Sequence, residues 1–265
     1  STQSRSSAAS DVYKRQENPK RINFLKKETP AQLTISTVIS EEKDKLVTLV
    51  SLLKFIGEEP GIIFCNFKDS IDSVSEYLSQ QHIQHECFSG GMEQRDRERA
   101  LIKFRNGSSR ILVATDLAAR GIDIPELKFI IHYELPHRIE EFTHRNGRTA
   151  RVNEEGTAYI LRWNKESIPE FISKSQPINI DKSNRLGDPF WETLFISGGR
   201  KDKISKGDIA GLFFKQGGLQ KNQVGAIELK QDCAFVAVPK NRSKKLVEEL
   251  NNSRLKKKKV RITVL

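Results

Sequence analysis

Eight residues, His144-Arg145-Asn146-Gly147-Arg148-Thr149-Ala150-Arg151, carry three arginines around one glycine. Arg148 and Arg151 stand three apart, so on a helix or helical turn their guanidinium groups point to one side. A guanidinium is planar, permanently charged and matched to phosphate oxygens, which suits it to the charge that builds up during phosphoryl transfer. Upstream, Ile111-Leu112-Val113-Ala114 reads as a buried strand that ends in Thr115-Asp116 and runs on through Arg120, Gly121 and Asp123. In open α/β sheets ligands gather beyond the carboxyl ends of strands. Gly121 lets the backbone turn close to a ligand, and the Asp123 carboxylate can accept from a ribose hydroxyl or orient an arginine. Gly61-Ile62-Ile63-Phe64-Cys65-Asn66 is another apolar strand ending in a polar residue. Between these strands, Gln94 and Arg97 open an amphipathic helix carrying Leu101, Ile102 and Phe104.

The elements that must hold these residues alternate between strand and helix. Strands are expected at 33–38, 61–65, 110–114, 129–133 and 157–161, and helices at 43–55, 69–81, 93–105 and from Glu140. On the first helix Leu46, Leu49, Val50 and Leu53 share one face; on the second, Ile71, Val74 and Leu78 do. That alternation predicts a doubly wound, mostly parallel sheet covered on both faces, here placed at 33–175. Residues 1–16 are polar, small and without periodicity; they read as disordered, with a non-native origin open, and are set apart from the fold. Residues 17–32, with Pro19, Pro30 and a run of basic side chains, read as a linker, as do residues 176–190 with Pro177 and Pro189.

Beyond the second linker the pattern changes. Strands are expected at 193–197, 224–230, 233–238 and 259–265, with helices at 205–216 and 243–251. That βαββαβ order is the ferredoxin-like, RNA-recognition-motif topology, a small α+β domain over 191–265. Its charge sets it apart: residues 191–265 hold 17 Lys+Arg against 7 Asp+Glu, so nearly all of the chain's net +11 lies there. A basic module on a near-neutral body is the footprint of polyanion binding, with a merely soluble basic domain as the alternative. Within it, Phe195 and Phe235 occupy strand positions where such domains stack bases, although alternation along a strand could equally make them core residues. Lys256, Lys257, Lys258 and Lys259 form a strip able to contact phosphates, or a solvated loop. The three cysteines, Cys65, Cys87 and Cys233, lack metal-ligand spacing, so no metal site is expected and a reducing, cytoplasmic setting is. No apolar run reaches the length of a membrane span.

Four ordered segments give this chain a family resemblance. The strand at 61–68, Gln94 with Arg97, the Thr-Asp…Arg-Gly-x-Asp string at 115–123 and the His-Arg-x-Gly-Arg-x-x-Arg string at 144–151 resemble the second RecA-like domain of DEAD-box RNA helicases. Three positions depart from the family pattern: Phe67 where Thr is common, Ser89-Gly90-Gly91 for His-Gly-Asp, and Asn146 for an apolar residue. With its tail, the chain resembles the DbpA type of that family. The resemblance implies the C-terminal portion of an ATP-dependent helicase, with Arg148 and Arg151 as arginine fingers. It makes Asp123 a ribose ligand or a brace for Arg151, and Gly121 the close turn beside ATP. Asn66, Gln94, Arg97, Thr115, Asp116 and Arg120 would grip or brace the RNA backbone, and Phe195, Phe235 and the four lysines would bind RNA in the tail. ATP with Mg would be held mainly by an N-terminal RecA-like domain, since the chain contains neither a Gly-x-x-x-x-Gly-Lys-Ser/Thr loop nor Asp-Glu-Ala-Asp. The fragment alone is expected to be inactive. The implied partner is structured RNA, a large-subunit ribosomal RNA hairpin, bound by a monomer away from membranes during ribosome assembly. The alternative is a stand-alone RNA-binding protein without a motor.

Overall fold

The computed structural model describes residues 33–125, 127–150, 155–172, 175–181 and 185–265. Six strands form one sheet: β1 (Leu33–Ser40), β2 (Gly61–Cys65), β3 (Glu86–Phe88), β4 (Ile111–Thr115), β5 (Phe129–His132) and β6 (Gly156–Trp163). Their spatial order is β1-β6-β5-β2-β4-β3, and every pairing is parallel. Buried on both faces, the central strands read as continuous apolar runs, as a parallel sheet requires. Ile63, Cys65, Val113 and Ile131 pack against helices α1 (Leu46–Ile56) and α2 (Lys68–Gln80). The alternate residues Ile62, Phe64, Leu112 and Ala114 pack with Phe104 of α3 (Gln94–Arg105) and with Ala118 and Ala119 of the one-turn α4 (Asp116–Ala119). Phe142 of α5 (Ile139–Asn146) sits with Leu135, Ile160 and Ile172 in a smaller cluster. This is the RecA-like, doubly wound arrangement.

Two elements of this domain carry no periodicity in the sequence. β3 has three residues on the sheet edge, too few to show alternation, and α4 is a single turn nucleated by the Thr115 side chain, which accepts from the Ala118 amide at 3.4 Å. The first helix also starts three residues later than expected. Lys45 lies in the left-handed region (φ 60°) and turns its side chain inward. There its ammonium donates to the Tyr133 carbonyl and, at 3.2 Å, to that of Leu161, while burial pushes its pKa down against the pull of Glu166.

After Trp163 the chain returns along the sheet. Pro177 bridges to Thr37 of β1, Ile178, Ile180 and Leu186 cover the α1–α2 core, and Arg110 donates to the Gly187 carbonyl at 2.6 Å. The tail follows as β7 (Trp191–Ile196), α6 (Lys206–Lys215), β8 (Ile227–Leu229), β9 (Ala234–Pro239), α7 (Lys240–Leu250), a hairpin of β10 (Arg254–Leu255) and β11 (Lys258–Lys259), and β12 (Ile262–Val264). Its four-stranded sheet has the order β12-β7-β9-β8, all antiparallel. One face, with Leu194, Ile196, Val236 and Val238, packs on α6 and α7 through Ile209, Phe213 and Leu246. The βαββαβ order is present, but the expected strand over 259–265 is split: Lys258–Lys259 pair back on Arg254–Leu255 around a turn at Lys256 (φ 54°), and only Ile262–Val264 join the sheet.

Candidate functional site

The carboxyl ends of β2, β3 and β4 open onto a cleft of about 390 Å³ lined by Asn66, Lys68, Ser89, Gly90, Gly91, Thr115, Asp116, Leu117, Arg120 and Glu141. Parallel strands deliver their ends to one edge, so residues far apart in sequence meet there. Leu117, 72% exposed, and Phe67, 62% exposed, lie at this carboxyl edge and leave apolar surface beside the charged groups.

Behind the cleft stands Arg145, whose side chain is completely buried. Its fork meets the Asp116 carboxylate in a bidentate pair at 2.8 and 2.6 Å. It also donates to the Asn66 side-chain oxygen at 2.7 Å and the Glu134 carbonyl at 2.8 Å, and lies over the Phe64 ring. A buried guanidinium is tolerable only when its donors are matched in this way. Asn66 is equally committed, since its amide nitrogen donates to the Leu135 carbonyl at 3.0 Å and lies 3.3 Å from His137 Nε2. Glu134 accepts from the Asn66 backbone amide at 2.6 Å and from Ser70 at 2.7 Å. Asn66 and Asp116, expected to grip or brace RNA, are thus placed as braces of Arg145.

His132, fully buried at the end of β5, closes the network. Its Nδ1 faces Arg145 Nη1 at 3.5 Å and its Nε2 lies 2.9 Å from Asn146 Oδ1. An arginine can only donate and an amide oxygen can only accept, so the ring is neutral with its proton on Nε2. Burial, then the Arg145 charge, holds its pKa down to about 3. Asn146, a departure from the family pattern, therefore has a partner of its own.

The segment after α5 folds back on the 116–123 loop. Arg148 donates to the Ala119 carbonyl at 2.7 Å and to that of Ile122 at 3.5 Å. Gly121 takes φ 70°, a left-handed conformation that costs a side-chain-bearing residue about 1–2 kcal/mol, and Asp123 beyond it is exposed. Gly121, Asp123 and Arg148 thus share one neighbourhood, while Arg151 lies outside the described residues. Gln94 is exposed at the start of α3; Arg97 lies over the Phe88 ring at 4.8 Å, at the end of β3; Arg120 is exposed on the cleft. Thr115 caps α4. Sequence reasoning missed Arg145, Glu134 and His132 as functional parts, although Arg145 lay inside the most informative string. Only long-range pairing distinguishes it from its two neighbours.

In the tail, Phe195 and Phe235 are directly opposed across β7 and β9, with ring centroids 5.8 Å apart in an edge contact. They lie on the sheet face away from α6 and α7. Phe235 is nonetheless only 5% exposed. Lys256, Lys257 and Lys259 are exposed on the hairpin; Lys256 pairs with Asp208 at 3.2 Å and half-buried Lys258 with Asp202 at 3.7 Å.

Comparison with known proteins bears on both halves. Residues 44–153 match the helicase conserved C-terminal domain, and residues 193–264 match the DbpA RNA binding domain. The chain is 32% identical over 234 residues to the ATP-dependent RNA helicase DbpA of Escherichia coli (strain K12), covering 85% of this chain and 51% of that protein. It is 28% identical over 252 residues to the ATP-dependent RNA helicase DbpA of Bacillus subtilis (strain 168), covering 83% and 52%. Among solved structures, a DEAD box protein from the hyperthermophile Methanococcus jannaschii is 30% identical, with 52% of this chain and 38% of that chain covered and a TM-score of 0.48. The chain spans about half the length of the curated relatives it matches.

Proposed function

Because this chain belongs to the DbpA type of DEAD-box RNA helicases, carrying the C-terminal helicase domain and the RNA-binding tail, we propose that it supplies the RNA-handling and nucleotide-closing half of an ATP-dependent RNA helicase. The observation that carries this reading is the Arg145–Asp116 pair. It ties the 115–123 segment to the 144–151 segment, so that Arg120 faces the cleft while Asp123 stands on the loop beside it and Arg148 reaches that loop from the segment after α5.

Nucleotide chemistry fits the residues present. Gly121 turns the loop so that the Asp123 carboxylate is open to a ribose hydroxyl, and the two backbone carbonyls on Arg148 fix its guanidinium beside that turn. ATP with Mg, held mainly by an N-terminal RecA-like domain, would supply the phosphoryl group. Arg148 and Arg151 would neutralise charge developing on it, and Asp123 would hold ribose or orient Arg151. On the cleft, Arg120 and Lys68 would contact RNA phosphates, with Gln94 and Arg97 along the rim. Thr115, Asp116 and Asn66 would act from behind by fixing α4 and Arg145. A carboxylate already paired with a buried guanidinium does not repel phosphate as a free one would.

The tail would select the RNA, and we place its contacts on the basic hairpin of Lys256, Lys257, Lys258 and Lys259. A structured hairpin of large-subunit ribosomal RNA is the proposed target, and ribosome assembly in the cytoplasm the proposed setting. Binding of such a hairpin by this chain should weaken steeply with salt, and replacing the four lysines by Ala should flatten that dependence for every RNA. Equal affinity for an unrelated hairpin would remove the ribosomal assignment and leave RNA binding intact. No RNA binding at low salt would remove the proposal itself.

A further inference from the structure

The sheet face of the tail, away from its helices, presents Trp191, Thr193 and Phe195 on β7, Phe235 and Ala237 on β9 and Glu228 on β8, as the strand register dictates. An open face of this kind would leave Thr193 and Phe235 accessible, yet they are 2% and 5% exposed. What covers the face is the end of α3 and the turn that follows it. Thr193 Oγ1 is hydrogen-bonded to Ser108 Oγ and lies 3.5 Å from Asn106 Nδ2. Gly107, in the left-handed region at φ 76°, meets Trp191 so closely that an added Cβ would stand 3.2 Å from its indole. Arg105, the last residue of α3, donates from Nε and Nη2 to the two oxygens of Glu228 at 2.7 and 3.0 Å. Lys230 reaches back to Glu98 of α3 at 2.8 Å.

The third nitrogen of Arg105 points elsewhere. Nη1 lies 3.4 Å from the backbone carbonyl of Asp123. One guanidinium therefore joins the tail to the loop that carries Gly121 and Asp123. The opposite end of α3 carries Gln94 and Arg97 and follows the Ser89-Gly90-Gly91 segment that lines the cleft. Along the helix Arg105 stands about 16 Å from Gln94 and about 12 Å from Arg97 at 1.5 Å per residue, on an unbroken α-helical rod.

We infer that α3 is a coupling strut: it holds the tail's sheet face closed against the helicase domain, so that the tail, the cleft rim and the Asp123 loop move as one body. Charge favours docking over base stacking on this face. Glu228 sits beside Phe235 and would repel a phosphate backbone, whereas it complements Arg105. Burial pushes the Glu228 carboxyl up, but the Arg105 hydrogen bonds and charge, with Lys230, outweigh it and leave its pKa below the ordinary value. The consequence for RNA rests on the helicase reading above: an RNA held by the basic hairpin would be presented to the cleft at a fixed distance and direction. The strut itself does not depend on that reading.

The test is made on the whole chain without RNA, by residual dipolar couplings from residues 33–172 and 191–265. Wild type should fit one alignment tensor, Arg105→Glu should need two, and the swap Arg105→Glu with Glu228→Arg should restore one. Should Arg105→Glu fail to fold, Arg105→Ala combined with Lys230→Ala replaces it, with the same expectation of two tensors. Independent tensors in wild type, or a single tensor after the clasp is removed, would overturn the inference. RNA is then added to wild type. A single tensor with unshifted Phe195 and Phe235 ring signals supports a closed sheet; two tensors with shifted rings would make this face an RNA surface and overturn it. Absence of any RNA binding would refute the proposed function and leave the strut measurement standing.

Discussion

Two arginine–carboxylate pairs organise this molecule, and they do opposite things. Arg145 and Asp116 meet inside the helicase domain, where the guanidinium is wholly buried and every neighbour is matched to it. Arg105 and Glu228 have equally good bidentate geometry, but about a quarter of each side chain remains exposed, and they join two domains. The carboxylates are alike, Asp116 being 21% and Glu228 22% exposed; the difference lies in the arginine, which in one pair is wholly desolvated and would be stranded by loss of its partner, and in the other is partly screened by water. The same chemistry therefore makes a buried keystone within one domain and a half-buried clasp between two.

Removing the keystone should have the largest effect. Arg145→Ala leaves the Asp116 carboxylate and the Asn66 amide without their partner, and should cost about 3–5 kcal/mol in a denaturant titration. Arg145→Lys should recover little of it, since an ammonium cannot reproduce the planar fork. A loss under 1 kcal/mol would place Arg145 in the same class as the clasp.

The histidine behind the keystone adds a pH dependence that begins at higher pH than that of the Glu228 carboxylate in the clasp. His132 is neutral in the fold, with its pKa lowered to about 3 from 6.5. Between these values the unfolded chain takes up the proton and the folded chain does not, so stability is fully present above pH 6.5 and falls as the pH drops toward 3. The slope contributed is at most about 1.4 kcal/mol per pH unit. Denaturation midpoints across pH 7 to 4 should show it, and His132→Asn should remove this component of the slope. An unchanged profile in that variant would mean that His132 titrates alike in the folded and unfolded chain.

Gly121 tests the loop between the two pairs. Gly121→Ala retains the open space around the residue but imposes a side chain at φ 70°, and should cost about 1–2 kcal/mol in thermal unfolding. No loss would show that the turn relaxes freely. The smallest effect belongs to the clasp: a double-mutant cycle of Arg105→Ala and Glu228→Ala should give a coupling below about 1 kcal/mol in stability. A coupling of several kcal/mol would erase the contrast between the pairs.

How far these features were readable from the sequence depends on where their information lies. The parallel sheet was legible because Ile62 to Cys65, Ile111 to Ala114 and Phe129 to Ile131 are apolar throughout, and the helices because Leu49, Val50 and Leu53 or Ile71, Val74 and Leu78 recur at helical spacing. β3 and α4 were not, since three and four residues are too few to carry a period. Within the site, the short strings containing Asp123, Gln94 and Arg148 were visible as local patterns. The keystone was not: Arg145, Asp116, Asn66 and Glu134 meet only after strands are ordered in space. The same holds for Phe235. Alternation placed it on one of two faces, but only the docking of α3 explains why the face away from the helices is covered.

The proposed function makes this chain one half of a divided motor. It is tested most directly by RNA-stimulated ATP hydrolysis, measured on the chain alone and on the chain joined to a DEAD-box N-terminal RecA-like domain. The chain alone should show no RNA-stimulated turnover, the joined protein should show it, and Arg151→Ala in the joined protein should lower the rate by about a thousandfold or more. Robust hydrolysis by the chain alone, or near-normal hydrolysis in the Arg151→Ala protein, would contradict the account.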